Sequence, residues 1–515
     1  MENIINQKKR TWFNNAILFL VSLIGLVFLF SIIGSVLNWQ GTYLRVNTIT
    51  GNLENNLVVV ESLFSREGIR FLIGNVISNF INFTPLIMFI FAIIGIGFAE
   101  KTGLFTTLFT VIGKKVKGFW LTFLVVFLSI FSSIIGDIAF VYIIPISAII
   151  FIVNRRNPLV GIIASFAGAT GGYGINLFIS QMDYSLLNLT EVSARVIDST
   201  YSVSIYGNLF FNIFSAILMT FLITYITENF VVKRVNKYKK EDLIDEVVIG
   251  KKEKRGLFLA LIASALFVLF FVYMLLPLGT PLSGLLLDYS EKNLYARIFS
   301  GNSYVVQGLA FTLTIGLVVC GWLYGYGAKT LKTKNDFSKF LYGSLNNVGG
   351  IIILMFLASQ LIALFRKTNL GIVFSIWVGD TIRDLSFSSV PLVILLLVLI
   401  SILNIVQTSA VTKWTIITPT IMPVFMSANI TPEFTQAIFK VGDSLTNMVT
   451  PFFPYFVLFV GMLQIYNKSD EAIGIKDTYK LLFPYLIGNL IFWLLILVCW
   501  YIINLPIGIG VYPII

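Results

Sequence analysis

Apolar residues run along most of this chain without the polar face that returns every few positions on the surface helix of a water-soluble protein. Two of the runs, "NAILFLVSLIGLVFLFSIIGSVLNW" and "LIGNLIFWLLILVCWYII", reach the roughly 20 residues a helix needs to cross a bilayer. The pattern predicts about nine spans, at 14–38, 71–99, 158–180, 205–230, 257–277, 304–327, 346–366, 432–466 and 481–503. The first is too long for a removable signal peptide and has no small-residue cleavage site. Two further apolar stretches do not fit a single crossing. The stretch 118–153 is too long for one span, is broken at "SSIIGD" (132–137) and carries basic residues at both ends. The stretch 389–428 is interrupted at "NIVQTSAVTKW" (404–414). Each is predicted to be a re-entrant hairpin, whose arms enter and leave on one side and whose non-helical tip is sheltered by protein or water.

Composition agrees. The chain is 57% hydrophobic and 12% charged, with a mean hydropathy of +0.89, which fits an all-α polytopic membrane protein in contact with the lipid bilayer. Its net charge of +11 sits mostly in short linkers: "QKKR" near the start, "GKKVKG" at 113–118, "NRRN" at 154–157 and "VVKRVNKYKKEDLIDEVVIGKKEKRG" at 231–256. No RNA- or DNA-binding motif accompanies them, so they mark a cytoplasmic face and not a nucleic-acid partner. The expectation is a multi-pass protein of the cell membrane with a cytoplasmic N-terminus. Arg366, Lys367 and Arg383 fall on the outer side and are exceptions to the charge rule. The absence of histidine excludes imidazole relays, HExxH metallohydrolases and Ser-His-Asp catalysis. Cys320 and Cys499 lie in predicted spans and suggest neither a disulfide nor a metal site, and no cofactor is implied.

The chain also repeats itself. Pro145, Phe151, Pro158 and Gly168 recur, all at one displacement, as Pro419, Phe425, Pro432 and Gly442, and "EKTGL" (100–104) recurs as "RKTNL" (366–370). The two copies share one order of parts: span, amphipathic segment, hairpin, broken span, span. They start on opposite sides of the membrane, as inverted repeats of secondary transporters do. The predicted partition is an N-terminal span and outer loop (1–70), a first repeat (71–230), a basic cytoplasmic loop (231–256), two connecting spans (257–345) and a second repeat (346–515).

Each repeat offers a hairpin tip and a helix break. The first has "SSIIGD" and "AGATGGYGIN" (167–176); the second has "QTSAVTKW" (407–414) and "VGDSLTNMVTP" (441–451). Unwound backbone, hydroxyls, amides and a carboxylate suit a hard monovalent cation. The Na⁺ candidates are Ser132, Ser133, Asp137, Thr170 and Asn176 in the first repeat and Thr408, Ser409, Asp443 and Asn447 in the second. Asp137 and Asp443 are the carboxylates near mid-membrane, and the coupling ion is Na⁺ or H⁺. Substrate candidates are Lys440 and Lys413 for a carboxylate, Trp414 for an aromatic ring, and Asn404 and Asn447 for polar groups. Each has a structural alternative. Lys440 and Asp443 share a helix face and can neutralise one another, Lys413 and Trp414 can pack a tip, and Asn404 can join two helices. An intramembrane aspartyl protease using Asp137 and Asp443 is disfavoured, because no GxGD surrounds either residue.

At these motifs a family resemblance emerges. "FAGATGGYGINL", "TSAVTKW…TP…MPVFM", "TPEFTQAIFKVGDSLTNMVTPFFPYF" and "FSREGIRF" resemble the AbgT family of p-aminobenzoyl-glutamate transporters over nearly the whole chain. The resemblance implies a homodimer of nine-span, two-hairpin subunits, driven by an ion gradient. Such carriers import p-aminobenzoyl-glutamate or export sulfonamide-type antimetabolites. It implies that Asn404, Trp414, Pro432, Asp443, Pro451 and Asp183 line the path. The sequence departs from the family in carrying Lys440 where Arg is usual, and "QTSAVTKW" where the tip is usually smaller. The alternative substrate classes for this architecture are dicarboxylates and short-chain fatty acids.

Overall fold

The computed structural model describes residues 15–46, 53–235, 248–384, 387–467 and 473–515. The "QKKR" cluster and the middle of the basic 231–256 loop lie outside the described residues. Among these, eight helices are long and apolar enough to cross a membrane. Seven are expected spans, and the eighth, Ser389–Val406, is the first arm of the second hairpin. The two remaining expected spans are the broken ones.

Helix Ala16–Val36 begins at Asn15, whose Oδ1 accepts from the amides of Ile17 (3.0 Å) and Leu18 (3.4 Å). One sequence expectation needs correction in the region that follows. The outer loop itself holds two strands, Gln40–Val46 and Leu53–Val59, which pair antiparallel with Arg45 opposite Glu54. Its edge rests on the second repeat, where the Trp377 indole donates to the Gln40 carbonyl at 3.2 Å. The second span is not one helix over 71–99. It divides into Arg66–Gly74, Val76–Ile81 and Thr84–Thr102, because Asn75 and Asn82 end helical turns and Pro85 starts the next helix without an amide to donate.

The repeats are visible residue by residue. Gly103 (φ 90°) ends one helix and begins the next, and Asn369 (φ 58°), just after the Thr368 cap, likewise begins the next, both in the left-handed conformation that Gly and Asn tolerate best. The preceding threonines fold back alike, Thr102 onto the Ala99 carbonyl (3.0 Å) and Thr368 onto that of Phe365 (2.6 Å). Pro158–Gly171 and Pro432–Leu445 are both 14-residue helices starting on proline, and every residue of each is buried. Each presses a glycine on the first arm of its own hairpin. A Cβ on Gly168 would lie 3.0 Å from Ser129 Cβ, and one on Gly442 would lie 2.9 Å from Ile400 Cβ.

Both interrupted stretches turn back on themselves. The first has arms Phe119–Ser132 and Ile138–Val153, joined by a tight turn with Gly136 at φ 65°. Its open ends meet, since Arg156 donates to the Gly118 carbonyl (2.8 Å) and also holds Glu228 (2.6 Å). The second has arms Ser389–Val406 and Ala410–Ser427, and Ser389 closes its open end by donating to the Ala428 carbonyl at 2.7 Å. By contrast, the connecting helix Lys251–Leu275 buries only Gly256, Ala260 and Ala263, as a helix bathed in lipid should.

Candidate functional site

Both tips and both breaks open on one cavity of about 780 Å³, within the range of small-molecule sites. Its wall includes Ser133–Ile138 from the first tip and Tyr173 and Gly174 from the first break. The second tip contributes Val406–Thr412, and the second break contributes Asn447 and Phe452–Pro454. The breaks are local consequences of sequence. Gly172 and Gly174 unwind the first helix, and prolines 451 and 454 withhold amides from the second. The first break also touches the helix that leads to the second: Gly174 at φ 85° leaves room for the Lys440 stem, whose Cβ would lie 3.4 Å from a Cβ there.

In the first repeat, Asp137 lines the cavity and its Oδ1 accepts from the Tyr173 hydroxyl at 2.8 Å. Asn176 stands behind and ties break to tip, donating to Ser133 Oγ (3.0 Å) and the Phe131 carbonyl (3.3 Å). Ser133 lines the cavity, whereas Ser132 and Thr170 do not. Their hydroxyls donate to the Ser129 (2.8 Å) and Phe166 (2.6 Å) carbonyls of their own helices. In the second repeat Thr408, Ser409 and Asn447 line the cavity. Thr408 donates to the Phe452 carbonyl (3.2 Å), again tying tip to break, and Ser409 caps the second arm. One carboxylate with neutral oxygens on each side is a donor set that fits a monovalent cation.

The buried charges are paired differently from either sequence expectation. Lys440 and Asp443 do not neutralise one another. Lys413 binds Asp443 Oδ1 at 2.5 Å, and Lys440 binds Asp183 Oδ1 at 2.6 Å. Each lysine reaches across to another element, because a full contact between helices outcompetes a neighbour one turn away on the same helix. Asp183 serves twice, since its Oδ2 also accepts from the Ser180 amide (2.9 Å) and hydroxyl (2.7 Å) to cap its helix. Asn404 knits the cluster. Its Oδ1 accepts from Lys413, and its Nδ2 lies 2.5 Å from the Asp443 carbonyl and 2.9 Å from Asn447 Oδ1. Asp443 Oδ2 is buried without a hydrogen-bond partner among the described residues.

None of Asn404, Lys413, Lys440, Asp443 or Asp183 lines the cavity; they form the layer behind it. Trp414 does not offer it a face either. The indole is fully buried, donates to Thr190 Oγ1 (2.9 Å) and packs on Phe439 with centroids 4.3 Å apart. Pro432 sits at the far, first turn of its helix, and Pro451 is buried in the break. Sequence reasoning missed Tyr173, the aromatic wall of Phe365, Phe452 and Phe453, and Arg366, all of which line the cavity. Arg366 had left a signal, as a basic residue on the wrong side of the charge pattern.

Comparison with known proteins gives a consistent result. Residues 4–515 match the AbgT putative transporter family. The chain is 29% identical over 456 residues to the p-aminobenzoyl-glutamate transport protein of Escherichia coli K12, covering 88% of this chain and 87% of that one. Among solved structures it resembles Neisseria gonorrhoeae MtrF, described with a class of antimetabolite efflux pumps. Identity is 26%, the TM-score is 0.51, and 96% of this chain and 97% of that chain are covered. The YdaH transporter of Alcanivorax borkumensis matches at 27% identity and a TM-score of 0.49, over 96% of this chain and 100% of that one.

Proposed function

The chain belongs to the AbgT family of transporters, and from that premise we propose that it is an ion-coupled carrier of p-aminobenzoyl-glutamate or related aromatic carboxylates. Membership makes it a multi-pass membrane transporter and not an enzyme. The observation that carries the proposal is the single cavity on which both hairpin tips and both helix breaks converge. Its aromatic and apolar wall suits a benzoyl ring, and its few polar groups suit a charged tail. The homologue's name supports p-aminobenzoyl-glutamate as cargo, and the MtrF neighbour supports export of antimetabolites as the alternative.

Asp137, with Ser133 and Tyr173, is the proposed coupling site for Na⁺ or H⁺, since it is a carboxylate open to the cavity at a hairpin tip. The working form is a homodimer in the cell membrane with the N-terminus inside. The test is flux of labelled p-aminobenzoyl-glutamate in proteoliposomes with imposed Na⁺ and pH gradients. We expect accumulation above equilibrium under one of the gradients, abolished by the matching ionophore. Equal movement with and without both gradients would refute coupling, and no flux above empty liposomes would refute the substrate.

A further inference from the structure

We propose that Arg366 anchors the substrate's carboxylate, in place of the buried lysines that the sequence suggests. The inference rests on the reading of the cavity as the transport site and names the group that recognises the anion there. The buried lysines are already occupied: Lys413 is held by Asp443 and Lys440 by Asp183. The charged side chains lining the cavity are Asp137 and Arg366.

Arg366 lies in the last turn of helix Gly349–Lys367, where a cation also complements the helix dipole. Its neighbour Lys367 leaves the cavity and pairs with Glu61. Arg366 is exposed towards the cavity and has no carboxylate within ion-pair distance among the described residues, Asp137 included. A cation in a cavity wall without a carboxylate partner is free to bind an anion there. The same cavity wall holds Phe365 and Phe452, with ring centroids 4.7 Å apart, and Gln407. A planar guanidinium fork next to an aromatic wall fits a carboxylate joined to an aromatic ring, which it can grip in two parallel hydrogen bonds. Asp137, the carboxylate in the same wall, is held by Tyr173 and forms no ion pair with Arg366.

The test uses the full chain in detergent and in proteoliposomes, with p-aminobenzoyl-glutamate, p-aminobenzoate and their fully amidated analogues as probes. Wild type should bind the acids about tenfold to a hundredfold more tightly than the amides. Arg366→Gln should erase that difference while leaving amide binding and the thermal midpoint nearly unchanged, and Arg366→Lys should restore part of it. If Arg366→Gln keeps the preference for acids, or wild type binds acids and amides alike or neither, the proposal is overturned. Equal weakening of acids and amides by Arg366→Gln would also overturn it, by assigning Arg366 a structural role. If p-aminobenzoyl-glutamate fails to bind but p-aminobenzoate shows the acid preference and its loss, the anchor stands and the proposed substrate falls.

Discussion

The helices Pro158–Gly171 and Pro432–Leu445 have one length, one proline start and one fully buried wall, yet their chemistry is not the same. The second carries Lys440 and Asp443, and its hairpin supplies Lys413. The positions that correspond in the first repeat are Phe166, Ala169 and Ala139. Lys413–Asp443 ties hairpin to helix within the second copy and Lys440–Asp183 ties that helix to the first copy, whereas Phe166, at the position of Lys440, stacks on Phe459 of the second copy at 4.1 Å between centroids. At the cavity both copies are polar, with Tyr173 and Asn447 at matching positions. The backbone scaffold is duplicated, and both buried lysines come from one copy. Buried ion pairs seldom stabilise more than apolar packing of the same volume does, which fits a specifying role for the charged copy.

The comparison breaks most sharply at the charges. Lys413→Ala leaves Asp443 buried and unpaired, and should cost about 3–5 kcal/mol of stability. Adding Asp443→Ala should recover much of that loss, whereas combining Lys440→Ala with Asp443→Ala should recover none, because those two residues are not partners. Thermal unfolding in detergent measures both cycles. Recovery in the second cycle but not the first would restore the pairing along one helix. A smaller effect sharpens the shared scaffold. Gly168→Ala and Gly442→Ala each force a Cβ to 3.0 Å or less from the hairpin arm, and should destabilise by similar amounts, about 1–3 kcal/mol. A large cost at only one of the two would mean that the repeats are not packed alike.

Much of this fold was legible because glycines, prolines and polar residues are out of place in apolar stretches, so "SSIIGD" and "VGDSLTNMVTP" announced a tip and a break. The repeat was legible for the same reason: Gly103 and Asn369 both serve a backbone conformation that few residues adopt. The partners of Lys413 and Lys440 were not legible. Helical spacing offers only neighbours on the same helix, and the true partners come from elements brought together by tertiary packing. Nor could periodicity show which way Trp414 faces at the point where an open tip passes into a buried arm. The short strands Gln40–Val46 and Leu53–Val59 have mixed polarity and read as loop. Arg366 was legible only as an exception, and its place in the cavity wall gives that exception a physical reason.

The central claim is that both hairpin tips face the substrate in one cavity. Its most direct test is thiol labelling of Ile135→Cys and Val411→Cys, one in each tip, with Cys320 and Cys499 replaced by Ser. Labelling rates are followed in membranes with and without p-aminobenzoyl-glutamate. The account predicts that both positions are labelled and that substrate slows both. Protection of one tip, with the other labelled at a rate indifferent to substrate, would contradict it.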